Sequence, residues 1–213
     1  HYLFATQTMR WLAANAPLGG YTFSATSDWE LHSDAGLKDV ALVVWLNDQP
    51  HHERQRDAFR RYAERGGAWL GFHASGFIKA DEPWPWYRNE FLAAGFRGNN
   101  WPSLPARLNV DDPTHPLLKG VPATFVSPIN EWYSWKPTPR ESPHVKVLLT
   151  LDQTNFPLGV KNTINGGDVP VAWTNTRFRM VYLNYGHGDR IYTSPVLATM
   201  MDNTVRWLLA RDR

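Results

Sequence analysis

The chain contains no cysteine. Disulfides, thiolate metal sites and a cysteine nucleophile are therefore all excluded, although the absence of thiols says nothing about compartment. An excess of one charge is missing too: 22 Lys and Arg against 20 Asp and Glu leave a net charge of +2, and no basic run occurs. Nucleic-acid affinity rests on clustered cations, so no nucleic-acid partner is expected. No segment approaches the roughly 20 consecutive apolar residues of a membrane span, so no membrane partner is expected either. The first residues, from His1 and Tyr2, carry no signal-like apolar stretch. Localisation stays open between the cytoplasm and, after removal of a leader, the periplasm or exterior. Linkers, repeats and low-complexity tracts are lacking, so residues 1–213 are read as one domain, long enough to bury a large core.

What the chain has in excess is aromatic, with 11 Trp and 8 Tyr. Such flat amphipathic side chains line sugar-binding pockets, and they also fill cores. A small-molecule partner is expected; monomer and homodimer both stay open.

Two hydrophobic periodicities alternate along the chain. Ala5, Met9, Leu12 and Ala16 follow helical spacing and stop before Gly19-Gly20, after which 21–25 reads as a short strand. The apolar run at 40–46 (VALVVWL) has the pattern of a strand covered on both faces. Residues 53–65 form a charged helix with Phe59, Tyr62 and Ala63 on its buried face, stopped by Gly66-Gly67 and followed by a buried strand at 68–73. Strand, helix and strand in that order imply a parallel sheet. A short helix is expected at 84–94, and strands at 108–110, 125–135, 145–151, 169–174 and 180–185. The closing helix has Ser194 as N-cap, Pro195 at its first position, and an apolar stripe of Leu197, Met200, Met201, Val205 and Leu208. The fold class is thus α/β, a doubly wound, mostly parallel sheet flanked by helices. Its first strand is missing from the chain: it is expected upstream, or its slot is filled by another segment.

Ligands of open parallel sheets sit at the carboxyl ends of the strands. Asn47, Asp48, His73 and His187 fall at those ends, and Glu131 and Tyr133 lie in a strand-like segment that can face the same crevice. Imidazoles titrate near neutrality and a carboxylate can orient one of them, so these residues form an acid–base set. His73 itself reads as a catalyst, a metal ligand or the remnant of a site. His187 sits between Gly186 and Gly188, in a tight turn or at a close backbone approach. His51 and His52 are expected in solvent, His115 in a structural turn, and His1 beside the crevice.

A set of motifs occurs in order: GGAWLGFHAS at 66–75, WPWY at 84–87, NEWY at 130–133, VLLTLD at 147–152, PVAWT at 170–174 and LNYGHGD at 183–189. Together they resemble the ThuA-like (trehalose-utilisation) family over nearly the whole chain. That resemblance implies a flavodoxin-like fold of the class I glutamine amidotransferase type. In those enzymes the turn equivalent to Gly71-Phe72-His73-Ala74-Ser75 is a strained elbow that carries the nucleophilic cysteine. Here His73 takes the cysteine's place, so glutamine hydrolysis through a thioester is excluded.

The family resemblance implies instead the breakdown of trehalose or related disaccharides after oxidation at C3 of a glucose unit. A 3-keto group acidifies the C2 proton, so a base can remove it while the glycosidic oxygen leaves C1. The expected roles are His73 as base, His187 or Tyr133 as acid and Glu131 as orienter, with His1, Asn47, Trp86, Asn99 and Trp132 binding substrate. A divalent metal on His73, Glu131 and His187 is a further option, as electrophile. Three departures from the family pattern stand out: Asn in the loop at 97–100 where a His is frequent, Asn130 where an Asp is common, and a hairpin at 175–179 without the usual glycines. Two competing readings remain. One is a non-catalytic sugar-binding or regulatory domain walled by Trp84, Trp86, Trp132 and Trp135. The other is a metal-dependent hydrolase with Ser75 or a metal-bound water as nucleophile.

Overall fold

The computed structural model describes residues 1–82, 84–154, 164–188 and 190–210; Asp189, the last residue of the LNYGHGD motif, lies outside them. Three helices, α1 (Tyr2–Gly19), α2 (Glu53–Glu64) and α3 (Pro195–Leu209), flank a seven-stranded sheet. Its strands are β1 (Leu42–Leu46), β2 (Ala68–Phe72), β4 (Leu104–Val110), β5 (Thr124–Asn130), β7 (Val145–Leu151), β8 (Pro170–Asn175) and β9 (Phe178–Leu183), in the spatial order β1-β2-β9-β8-β7-β4-β5. A two-stranded ribbon pairs β3 (Phe96–Asn99) with β6 (Tyr133–Trp135). The strands β1, β2 and β9 run parallel, and an antiparallel extension continues from β9 through β8, β7 and β4 to β5.

Strand periodicity divides the core into two layers. Ala68, Leu70 and Phe72 of β2, with Val181 and Leu183 of β9, pack with Phe4 and Leu12 of α1 and Leu197, Met201 and Val205 of α3. The alternate residues Trp69, Met180 and Tyr182 face Phe59, Tyr62 and Ala63 of α2 and the aromatic segment Trp84 to Phe91. Every residue of β2 is buried, as its continuous apolar run predicts. The α3 start is also as read: Pro195 occupies the first turn and the Ser194 hydroxyl accepts from the Leu197 N–H.

Several elements differ from the sequence reading. Residues 21–25 pair with no strand; Tyr21 and Phe23 only lean on the core, and the Tyr21 N–H closes α1 on the Ala16 carbonyl. The buried stripe of α1 is Phe4, Thr8, Leu12 and Ala16, which moves two of the four expected positions by one residue. β1 alternates between buried and half-buried residues, because it is an edge strand. It pairs directly with β2, Leu42 opposite Ala68 through Leu46 opposite Phe72, and among the described residues no strand precedes α1. The helix expected at 84–94 is a short turn that widens into one π turn at Tyr87–Phe91. The single strand expected at 125–135 is two: β5 ends at Asn130, β6 begins at Tyr133, and Glu131 lies at the break where the chain leaves one sheet for the other.

Candidate active site

The site forms where β2 ends. Phe72 is still extended, and His73 turns the chain sharply with φ +47°, a left-handed conformation that L-residues adopt at a cost. The turn is tight on all sides. A Cβ on Gly71 would strike the Trp69 ring and Ser75 Oγ, and one on Gly76 would strike the Tyr182 ring. The Tyr182 hydroxyl donates to the His73 carbonyl at 2.9 Å. The result is an elbow that holds a fully buried imidazole at the carboxyl end of the parallel strands.

Around that imidazole the fold gathers residues from four distant segments. His73 Nε2 stands 3.2 Å from Glu131 Oε2, and His187 Nε2 stands 3.7 Å from Glu131 Oε1. One carboxylate thus bridges two imidazoles. The ring of His1 lies 5.0 Å from that of His73 and 5.1 Å from that of His187, and the Tyr133 ring lies 4.6 Å from His73. His187 Nδ1 is paired with Ser103 Oγ at 2.7 Å. The glycines beside His187 serve close approach: a Cβ on Gly186 would fall 2.2 Å from Asn47 Oδ1 and from His73 Cβ.

Electrostatics sets the protonation of the bridge. Burial holds the His73 imidazole below its ordinary value, against the opposing pull of Glu131. The contact with His73, aided by His187, holds the Glu131 carboxyl below its ordinary value, against burial. At neutral pH the pair is a neutral imidazole beside a carboxylate. Burial, and then the charge of Glu131, push the Tyr133 phenol well above its usual range, so it stays protonated as a hydrogen-bond donor. Among the described residues no group of three or more His, Asp or Glu side chains is arranged to hold a metal ion.

His1, His73, Glu131, Tyr133 and His187 therefore come together. Asn47 is present but occupied: its amide donates to the carbonyls of Gly186 at 3.1 Å and His1 at 3.4 Å, which ties two site loops to β1. Asp48 accepts from the Gln49 N–H and faces His51, and both His51 and His52 are exposed. His115 caps a short turn by accepting from the Leu117 N–H, as expected of a structural residue. Asn99 is exposed on β3, with its amide on the neighbouring Asn100 carbonyl.

The aromatic wall expected from Trp84, Trp86, Trp132 and Trp135 is not formed, because all four are core residues. Trp86 packs among Phe59, Trp84, Phe91 and Phe178, and Trp132 spends its indole N–H on the Leu104 carbonyl. Ser75 is fully buried, and its Oγ has no hydrogen-bond partner among the described residues, so nothing there activates it as a nucleophile.

Two positioning residues escape a reading of the sequence. Asn130 is fully buried; its Oδ1 accepts from the N–H groups of Gly186 and His187 at 3.3 and 3.1 Å, and its amide donates to the carbonyls of Asn184 and Glu131 at 2.5 and 2.7 Å. Asn184 completes the frame by accepting from the Tyr133 N–H at 2.8 Å. The available signal was an Asn closing each of two apolar strands, where a side-chain amide replaces the ladder as partner for backbone groups.

The family model ThuA, described as trehalose utilisation, matches residues 5–208. The chain belongs to the ThuA family. A ThuA-like protein from Bacteroides uniformis is 38% identical, with a TM-score of 0.93 over 100% of this chain and 87% of that one. A ThuA-like protein from Parabacteroides merdae is 17% identical, with a TM-score of 0.67 over 98% and 85% of the two chains. The glutaminase domain of a Trypanosoma brucei CTPS, 11% identical, shares the fold with a TM-score of 0.60 over 96% of this chain and 88% of that one. No protein of curated function matches. This ThuA-family chain thus has the expected α/β architecture of the glutamine amidotransferase type, with an imidazole at the elbow. Among its described residues no helix is long and apolar enough to cross a membrane.

Proposed function

We propose that this ThuA-family chain cleaves a 3-keto-glycoside, of trehalose or a related disaccharide, by acid–base chemistry. The observation that carries the reading is the bridge: a neutral, buried His73 and a second imidazole, His187, on the two oxygens of one ionised carboxylate. His73 takes the proton from C2, which the neighbouring ketone has acidified. The C2–H electron pair forms the C1=C2 double bond, the C1–O bond breaks, and His187 protonates the departing glycosidic oxygen. Water then adds across the double bond, hydroxyl to C1 and proton to C2, so that the sum is hydrolysis. Glu131 orients His73 and stabilises the imidazolium that it becomes. The Tyr133 phenol, still protonated, is suited to donate to the oxygen that gains charge as the proton leaves.

Glutamine hydrolysis is not part of this proposal, since the chain has no cysteine to form the thioester. A binding-only sugar module loses its main support with the four tryptophans in the core. The test is incubation with 3-keto-trehalose, following glucose release with and without chelator, and deuterium uptake at C2 in heavy water. His73→Ala is expected to lower both by at least about 100-fold, the size of general-base assistance. Wild type that binds the sugar but neither releases glucose nor exchanges C2 refutes the reading.

A further inference from the structure

Trp101 is the one tryptophan among those described that stands mostly in water, 77% exposed, and it stands at the rim of the imidazole cluster. Its ring centroid is 6.5 Å from that of His187, at an interplanar angle of 71°. An exposed indole at the end of a loose loop would carry no message, but this loop is fastened on both sides of the ring. Before it, Asn100 Oδ1 accepts from the Trp132 N–H at 2.6 Å, one residue from Glu131, and the Asn100 amide donates to the Pro102 carbonyl at 2.7 Å. After it, Ser103 Oγ pairs with His187 Nδ1 at 2.7 Å. The same short segment therefore holds an imidazole of the site by one residue and presents an indole face to solvent by another.

We infer that Trp101 is the platform on which the leaving-group sugar of the substrate stacks, so that this site selects glycosides with a pyranose on both sides of the scissile bond. The inference rests on the cleavage proposed above and adds the substrate's second half. The face of a pyranose that bears axial C–H bonds is apolar and matches the electron-rich face of an indole, while its hydroxyls stay in water at the rim. Position decides which sugar is meant. His187 is the group that protonates the departing oxygen, and Trp101 flanks His187. The ring that departs with that oxygen therefore lies over the indole, while the keto-sugar ring lies on the far side of His187 from the indole, toward His73. Fastening the loop through Asn100 and Ser103 means that the platform is ordered before substrate arrives, which spares the cost of ordering it on binding.

The experiment compares 3-keto-trehalose with methyl 3-keto-glucoside, whose leaving group is too small to stack, on wild type, Trp101→Phe and Trp101→Ala. Trp101→Ala is expected to cut the preference for the disaccharide, as the ratio of kcat/KM values, roughly tenfold, with most of the change in KM; Trp101→Phe should keep most of that preference. An unchanged ratio, or an equal loss on both substrates, overturns the platform. Binding of unoxidised trehalose, measured by calorimetry, separates this inference from the cleavage reading. If wild type turns over neither keto-sugar, the cleavage reading fails, and the platform then stands only if wild type binds trehalose and Trp101→Ala weakens that binding roughly tenfold. Equal binding by the two proteins, or none by wild type, overturns it.

Discussion

The elbow at His73 makes a prediction about stability that needs no substrate. His73 sits at φ +47°, where an L-residue is strained by its own Cβ, and the residues around it leave the backbone no other course. Consider His73→Ala and His73→Gly. Both lack the imidazole and its contact with Glu131, so the difference between them isolates the backbone. The left-handed conformation costs an alanine about 1–2 kcal/mol. Glycine escapes that cost but gives up about 0.5–1 kcal/mol more conformational freedom on folding. The balance favours glycine by about 0.5–1 kcal/mol, which in a domain of this size is a rise of about 1–4 °C in Tm. At an ordinary helical position the sign is opposite: Ala198→Gly in α3 should lose about 1 kcal/mol. Urea unfolding followed by tryptophan fluorescence, with equal m-values required across the set, measures both. A His73→Gly protein that is no more stable than His73→Ala means that the elbow stores no strain, and the analogy with a nucleophile elbow then loses its physical content.

Asn130→Ala should cost about 2–4 kcal/mol, because it leaves buried backbone N–H and carbonyl groups of Gly186, His187, Asn184 and Glu131 without their partner; chemical denaturation measures the loss, and turnover should fall more than folded fraction does, since both the Glu131 and His187 segments hang on that amide. The acidic limb of kcat/KM should lie below the ordinary imidazole value of about 6.5, because burial depresses His73 and only its neutral form is a base. Glu131→Gln removes the charge that opposes this depression, so the limb should move to still lower pH even as the plateau drops; a shift upward contradicts the assigned bridge. By the same sign, His73 and Glu131 both contribute stability that is present near neutrality and lost as pH falls through their depressed values, His73 below its ordinary imidazole value and Glu131 below its ordinary carboxyl value, which unfolding midpoints followed from neutral pH to about pH 2 will show.

Much of this architecture is legible in the residues. The apolar run into His73, the Ser194-Pro195 helix start and the Phe59, Tyr62, Ala63 face of α2 are local patterns, and each took the form its periodicity dictates. The grouping of His73, Glu131 and His187 was legible for a topological reason, since the strands that precede them end on the same side of the sheet, whereas Asp48, at the end of β1, turns to His51 instead. What could not be read is what depends on distant pairing. Residues 21–25 have strand-like alternation but no partner, and β1 looks like a central strand but lies at an edge. Tryptophans divide in the same way: Trp86 and Trp101 are each followed within two residues by aromatic or proline neighbours, yet one is core and the other rim. Only the packing of the α2 layer on one, and the tethered loop around the other, distinguishes them. Asn130 looked like a lost carboxylate and is instead the hub of the site's backbone frame.

The break at Glu131 has an evolutionary corollary. Because the chain passes there from the seven-stranded sheet into the ribbon of β3 and β6, the carboxylate is held by two separately hydrogen-bonded frameworks, whereas in the loop that joins β3 to β4 Trp101 stands mostly in water, between Asn100, bonded to the Trp132 N–H, and Ser103, bonded to His187. On the cleavage proposed above, substitution of Trp101 alone can alter which leaving group is welcomed, whereas changes of length, or at Asn100 and Ser103, disturb the proposed proton-transfer centre as well. A lineage built on this plan can vary its substrates at that exposed position while the residues that anchor the loop are kept.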